Sequence, residues 1–156
     1  MRRREREITD RTEMESVLAR ATVIHLAMTD NGQPYVVPMN FGYAGGCLYL
    51  HCAREGRKVS ILHRNPSVCF NLVTDEAILP GTEPAGCNFT SRYRSITGTG
   101  RLEFLEDDEA KRRGLDIIMA HYASGPFAYR PDVLIRTCVC RIVIESMTGK
   151  KANVSD

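Results

Sequence analysis

The sequence predicts a mainly β fold, an antiparallel barrel or sandwich with helices packed outside it. Three observations support this fold class. Several apolar runs have the length and residue types of strands, Asn31-Gly32 is a strong hairpin turn signal, and helical spacing appears in only three segments. We expect six strands and three helices. A chain of 156 residues can bury a core without a disulfide or metal, so we expect one domain over residues 1–156.

The first third of the chain predicts a helix followed by a three-stranded antiparallel meander. Asp10, followed three positions later by Glu13, is a capping-box pattern, and the helix that it starts ends near Ala21. An Asn-Gly turn and an Ala-Gly-Gly turn then separate three β-rich runs. The strands are expected at 22–29, 35–43 and 47–52.

The rest of the chain predicts two helices, three strands and a long loop. A short helix stops at Asn65, because the residue before a proline disfavours the helical conformation. The segment 74–92 is rich in Gly, Pro and Thr and has no periodicity, so it predicts a long loop. The other elements are, in order, a helix at 57–64, strands at 67–73 and 92–105, a helix that begins at the acidic residues 106–109, and a strand at 137–149.

Composition argues against nucleic-acid and membrane partners. The net charge is +2, too small to imply a polyanionic partner, and Arg92-Tyr93-Arg94, which could stack on bases, also suits an ordinary sheet face. No apolar run approaches the ~20 residues that span a bilayer. The stretch MRRREREITD lacks the apolar core of an export signal. We therefore expect a cytoplasmic protein that binds neither nucleic acid nor membrane.

The six cysteines match neither a disulfide framework nor a zinc site. Cys138 and Cys140 are two positions apart on a predicted strand, without the two-residue spacer of a zinc knuckle. We expect no metal site, an exposed Cys87, and the other cysteines as small apolar residues in a reducing compartment.

The stretch LYLHCAREGRK, residues 48–58, is the strongest candidate site. A predicted strand runs into a turn with Arg54, Arg57 and Lys58, directly before a short helix. Backbone N–H groups, the helix dipole and cationic side chains at such a position suit a phosphate group. His51, at the strand end, would lie beside a group bound there. The alternative is a solvated helix start with ordinary surface arginines.

Pro38 is a second candidate, because a proline inside a strand belongs on an edge or at a bulge, and such irregularities often lie beside ligands. His25, within an apolar strand, and His63, near a helix end, fit packed or capping residues better than ligands. No phosphate loop of the Walker type, dinucleotide fingerprint, His-Glu-x-x-His motif or nucleophile elbow is present.

Taken together, these stretches resemble the 5-nitroimidazole-resistance (Nim-type) branch of the pyridoxamine 5′-phosphate oxidase-like, FMN-binding split-barrel superfamily. They follow the order of that family over nearly the whole chain. The matching stretches are MRRREREITD, GQPYVVPMNFGY, LYLHCAREGRKVSIL, NPSVCF, RYRSITGTGRLEFLED, KRRGLDIIMAHY and MTGKK. The resemblance implies a six-stranded antiparallel split β-barrel that forms a homodimer, with FMN in clefts at the subunit interface.

The resemblance also implies roles for particular residues. The phosphate of FMN would be held at the basic turn, and the flavin ring would lie along the proline-bearing strand. The implied cofactor-binding residues are Val37, Pro38, Met39, His51, Cys52, Arg57, Lys58, Arg94 and Ser95. His51 is the implied catalytic residue. The chain contains no tryptophan and ends at MTGKKANVSD, so the C-terminal tryptophan and arginine of true pyridoxamine phosphate oxidases have no counterpart.

The activity that the resemblance implies is an FMN-dependent reduction of a small-molecule acceptor, such as the nitro group of a 5-nitroimidazole, with electrons from NAD(P)H. His51 would give the acceptor a proton or a hydrogen bond. Two alternatives stay open. One is a flavin-binding or redox-sensing protein without turnover. The other is a haem-binding member of the superfamily, whose iron would be ligated by His25, His51, His63 or His121.

Overall fold

The computed structural model describes residues 3–81 and 86–154, which form one curled antiparallel sheet with helices on its outside. The strands are β1 (Glu7–Ile8), β2 (Ile24–Asp30), β3 (Gln33–Met39), β4 (Phe41–Ala44), β5 (Cys47–Ala53), β6 (Ser67–Leu79), β7 (Thr90–Leu105) and β8 (Thr137–Ala152). The α-helices are α1 (Arg11–Arg20), α2 (Arg57–Arg64), α3 (Asp108–Tyr122) and α4 (Pro131–Arg136). Short 3₁₀ turns lie at Arg4–Arg6 and Gly86–Asn88.

The sheet curls into a split barrel. Its strand order is β3-β2-β6-β7-β8-β5-β4, and β1 adds to β8. β3 and β4 stand at opposite ends of this order, yet Asn40 alone separates them along the chain. The two ends of the sheet must therefore approach each other, although the described residues show no pairing between β3 and β4. The predicted antiparallel, mainly β class is confirmed.

The strand count differs from the six expected, since the described residues form eight strands. The predicted strand 35–43 is divided at Asn40, where the chain crosses from one end of the sheet to the other. β1 is only two residues long, which is too short to show the alternating pattern by which a strand is predicted from sequence. Pro38 lies in β3, which among the described strands pairs with β2 alone, so its missing N–H group interrupts no pairing with a second strand.

The predicted loop at 74–92 is wrong at both ends, where residues 74–79 and 90–92 belong to strands. β6 and β7 form a long hairpin whose pairing continues to Leu79 and Thr90, past an irregularity between Thr74 and Ala77. Residues 82–85, within the predicted loop, lie outside the described residues. The Gly and Pro residues of the segment concentrate near the hairpin tip, while its flanks hold the apolar residues Ala77 and Ile78 that belong to a strand.

The barrel interior is a continuous apolar core of fully buried side chains from most of the strands, α1 and α2. The largest are Phe41, Phe70, Leu18, Ile24, Leu26, Leu48, Leu50, Ile61, Leu72, Ile96 and Ile142. A smaller cluster of Leu115, Ile118, Leu134 and Val139 attaches α3 and α4 to the outside of β8. None of the helices in the described ranges is long and apolar enough to cross a bilayer.

The cysteines are less buried than expected. Cys140 is buried, but Cys47, Cys52 and Cys138 are partly exposed, and Cys69 is exposed like Cys87. The alternation along β6 explains Cys69, because Val68 and Phe70 on either side of it point into the core. Its neighbours in sequence are apolar, but its side chain belongs to the outer face.

Candidate functional site

An open cleft of about 530 Å³ lies where β3, the end of β5, the first turn of α2 and the start of β8 meet. Nine residues line it: Pro38, Met39, Asn40, His51, Cys52, Ala53, Lys58, Arg136 and Thr137. Five of these, Pro38, Met39, His51, Cys52 and Lys58, are among the residues that the sequence singled out. The structure therefore brings the proline-bearing strand and the basic turn together in one place.

Local structure explains how the basic turn reaches the cleft. β5 ends at Ala53, and Gly56 has a φ of 124°, a backbone conformation that side chains with a Cβ rarely adopt. α2 begins at Arg57 with no side-chain cap on its N-terminus. The strand end and the uncapped helix start therefore face the same opening.

Lys58 brings a positive charge into the cleft. It is half-buried, and its ammonium group lies 3.5 Å from the sulfur of Met39. Within the described ranges, no carboxylate forms a salt bridge with Lys58. A partly desolvated ammonium group without a carboxylate partner favours a bound anion.

The charge of Lys58 acts on two neighbouring groups. Burial and the positive charge of Lys58 lower the pKa of His51, so its ring is neutral at pH 7. A hydrogen bond from the Cys138 thiol, assisted by Lys58, lowers the pKa of Cys52 to about 7. The cleft therefore holds a neutral imidazole and a thiol that is near its titration midpoint at neutral pH.

Arg57 points away from the cleft, although it precedes Lys58 in sequence. Its guanidinium group stacks 4.5 Å from the ring centroid of Tyr35 and lies 3.6 Å from a carboxylate oxygen of Asp30. Arg64, two turns further along the same face of α2, binds the same carboxylate at 2.8 Å. Consecutive residues of a helix are rotated by about 100°, so Arg57 and Lys58 point to different sides of α2.

Arg94 lies outside the cleft lining as well. Its guanidinium donates to Asp75 at 2.9 Å and to Glu13 at 3.2 Å, and Lys151 also binds Glu13. Ser95 is the next residue of β7, opposite Val73, and it does not line the cleft either. Arg94 thus ties α1 to the irregular part of β6 within the chain.

This ion network makes stability depend on pH. The hydrogen bond from Arg94 holds the pKa of Asp75 below its usual range, and the charge of Arg20 adds to this effect. The stabilisation is present above the unfolded pKa of ~3.9 and is lost as pH falls through the lowered native pKa. Asp75→Asn should cost about 1 kcal/mol at pH 7, because the pair is partly exposed. Asparagine tolerates the φ of 62° at this position.

Urea unfolding of both proteins at a series of pH values measures this effect. The difference between wild type and Asp75→Asn should be constant above pH 5 and disappear in strong acid. A difference that persisted at pH 2 would mean that backbone strain, rather than charge, causes the loss.

Val37 is half-buried and packs against the core, one residue before the cleft wall formed by Pro38 and Met39. It does not line the cleft itself. The residues that sequence reasoning missed are Asn40, Ala53, Arg136 and Thr137. The sequence does carry a signal for α4, because Pro131 in its first turn and Asp132 beside it are typical of a helix start. Arg136 is the last residue of that helix. Arg136 is held there by Asp132 at 2.9 Å.

The four histidines occupy different sites. His121 lies 2.6 Å from the carbonyl oxygen of Ala21 and packs against Phe41, and His63 stacks on Phe104 at 4.2 Å. His25 is exposed on β2, opposite Pro38. His51 is the histidine that lines the cleft, within the described residues. Those residues contain no cluster of three or more His, Cys, Asp or Glu side chains positioned to hold a metal ion.

Similarity to known proteins agrees with this architecture. The family model described as pyridoxamine 5′-phosphate oxidase matches residues 10–151. A structure from Bacteroides thetaiotaomicron, assigned to 5-nitroimidazole antibiotic resistance, is 38% identical and superposes with a TM-score of 0.83, covering 93% of this chain and 86% of its own.

Two further relatives are more distant. A FAD- and haem-binding protein from Mycobacterium smegmatis shares the fold at 21% identity and a TM-score of 0.85, over 97% of this chain and 76% of its own. An uncharacterised protein of Rhizobium meliloti is 26% identical over 100 residues, which are 63% of this chain and 56% of that protein. This chain thus matches little more than half of the length of that relative. The match to the family model and the identity to the Bacteroides protein place this chain in the pyridoxamine 5′-phosphate oxidase family.

Proposed function

We propose that the protein is an FMN-dependent oxidoreductase that reduces small nitro compounds, such as 5-nitroimidazoles, with electrons from NAD(P)H. The observation that carries this proposal is the convergence of Pro38, Met39, His51, Cys52 and Lys58 on one open cleft. The family assignment supports flavin-related redox chemistry. The Bacteroides relative supports nitro compounds as acceptors.

The donor set of the cleft fits FMN. A phosphate monoester needs a cation and N–H donors, which Lys58 and the uncapped first turn of α2 provide. A flavin ring edge needs backbone donors and acceptors beside an apolar surface. β3 stands at the edge of the sheet, with one side unpaired by any strand in residues 3–81 and 86–154, and it presents Pro38 and Met39 to the cleft. A bound flavin accepts a hydride and passes electrons to an acceptor.

The side chains of the cleft would supply the proton chemistry. Two-electron reduction of a nitro group to a nitroso group consumes two protons and releases water, so a proton source beside the acceptor is needed. His51 is exposed at the cleft, and its ring is neutral at pH 7 because its pKa is lowered. It can donate a hydrogen bond in that state and a proton once it is charged. Arg136 also lines the cleft, paired with Asp132 at 2.9 Å, and its N–H groups suit the oxygens of a nitro group.

A homodimer is part of this proposal, with the cleft covered by a second copy of the chain. Apolar side chains are exposed on two elements that contribute to the cleft: Val36 on β3 is 59% exposed, and Ile135 on α4 is 63% exposed. A second subunit that covered the cleft would also bury these side chains, which removes apolar surface from water. Val36→Asp should then shift the protein towards monomer in sedimentation velocity. An unchanged sedimentation coefficient would place the interface elsewhere.

His51→Ala should lower acceptor reduction by roughly 100-fold while flavin stays bound, because general acid catalysis contributes about 10²–10⁴-fold. Wild-type turnover should rise as pH falls below 7, since the lowered pKa leaves most rings uncharged at neutrality. The measurement is NAD(P)H oxidation with a panel of nitroaromatic acceptors. His63→Ala, a histidine outside the cleft, is the matched control. Equal turnover and pH dependence in His51→Ala and wild type would contradict the role of His51.

A further inference from the structure

We propose that Cys52, in the wall of the cleft, and Cys138, opposite it across the sheet, form a peroxide-reactive dithiol, in which Cys52 is oxidised first and Cys138 then closes a disulfide with it. This inference is independent of the flavin chemistry proposed above. It rests on the register of two strands and on the surroundings of the two thiols.

The sheet register places the two cysteines directly opposite each other. Cys52 on β5 pairs with Cys138 on β8. Opposed residues of antiparallel strands have Cα atoms about 4.5–5.5 Å apart, within the roughly 4.4–6.8 Å that a disulfide spans. In the strand registers of the described residues, no other two cysteines are directly opposed. The two sulfur atoms can therefore be joined without moving either strand by a residue.

The surroundings make Cys52 the first to react. Cys52 is partly exposed and lines the cleft together with Lys58, so a small oxidant can reach it. The Cys138 thiol donates a hydrogen bond to it, which stabilises the Cys52 thiolate and raises the pKa of Cys138. Cys140, two residues further along β8, shows the contrast, since burial raises its pKa to about 12. A cleft-exposed thiolate beside a cation, with a second thiol in reach, is the arrangement of a redox-sensing pair.

The chemistry balances with a hydroperoxide as the oxidant. The Cys52 thiolate attacks the O–O bond of hydrogen peroxide, which yields a sulfenic acid and, after protonation, one water. The Cys138 thiol then attacks the sulfenic sulfur, forms the S–S bond and releases a second water. The two thiols lose two electrons in total, and the peroxide gains them. A reducing thiol restores the dithiol by exchange.

The test uses the purified full chain without added flavin, treated with hydrogen peroxide and then alkylated and digested for mass spectrometry. We expect a Cys52–Cys138 linked peptide two hydrogen atoms lighter than the sum of its parts, which dithiothreitol abolishes. At pH 7 the larger thiolate fraction of Cys52, offset by its lower intrinsic nucleophilicity, should make it react about threefold faster than an ordinary thiol.

Two variants separate the roles of the cysteines. Cys138→Ser keeps a hydroxyl donor for Cys52 but cannot form the disulfide, so a sulfenic acid should persist on Cys52 and be trapped by dimedone. Cys69→Ser, which removes an exposed thiol on the outer face of β6, should behave as wild type. The proposal is overturned if peroxide links neither cysteine to the other, or if Cys69 and Cys87 are oxidised before Cys52.

Discussion

Lys58→Met should weaken FMN binding by about 10- to 100-fold, because charge-assisted hydrogen bonds contribute roughly 1.5–3 kcal/mol. Lys58 is a half-buried cation in the cleft, and within the described residues no carboxylate forms a salt bridge with it that an anion would have to displace. Methionine keeps the length and much of the apolar contact of the lysine stem, so the change isolates the charge. Fluorescence titration of FMN against each protein measures the dissociation constant.

The controls for this change lie on the same helix. Arg64→Met removes an exposed cation that binds Asp30 and does not line the cleft, and it should leave FMN affinity within about twofold. Arg57→Met should have a smaller effect than Lys58→Met, since Arg57 is engaged by Asp30 and Tyr35. If Arg57→Met were the more damaging change, the arginine would have to leave these partners and turn towards the phosphate.

Gly42→Ala should destabilise the fold by about 3 kcal/mol or force α3 away from the sheet. A Cβ atom at Gly42 would lie 2.5 Å from the carbonyl oxygen of Ile117 and 2.8 Å from the Cα of Ile118. Both are backbone atoms of α3, which cannot rotate out of the way as a flexible side chain can. Phe41 beside it is fixed too, because its amide donates to the hydroxyl of Tyr122 at 2.9 Å.

Urea unfolding followed by circular dichroism measures this loss as a lower transition midpoint. Gly86→Ala is the matched control, because a Cβ there meets nothing within 4 Å, and it should change the midpoint little. Equal midpoints for Gly42→Ala and Gly86→Ala would show that α3 does not pack as closely on β4 as described.

Local signals in the sequence were sufficient for much of the fold. The Asn31-Gly32 turn has the two positive φ angles, 49° and 86°, that its residue types favour, and Asp10 caps α1 by accepting from the amide of Thr12. The outer part of the β6–β7 hairpin is not predicted, because the composition of residues 74–92 is dominated by the Gly and Pro residues near the middle of the segment. The strand residues at its two ends are too few to change that average. The break between β3 and β4 at Asn40 is not predicted either. It depends on how the two ends of the sheet approach each other, which no local sequence pattern encodes.

The candidate site was predictable only in part, for similar reasons. His51 and Lys58 are close in sequence, so a strand end and a helix start suffice to bring them together. Thr137 reaches the cleft because it pairs with Ala53 across the sheet, and a single sequence does not reveal that register. The rotation of α2, which separates Arg57 from Lys58, depends on how Ile61 and Leu62 pack into the barrel.

The central claim is that this cleft binds FMN, and the absorption spectrum of the purified protein tests it most directly. After incubation with excess FMN and removal of the unbound cofactor, wild type should retain the two flavin bands in the near ultraviolet and the blue, and NAD(P)H should bleach them. Lys58→Met should retain much less flavin under the same conditions. A protein that retained no flavin, or that showed a Soret band from a haem ligated by a histidine such as His51, would contradict the claim.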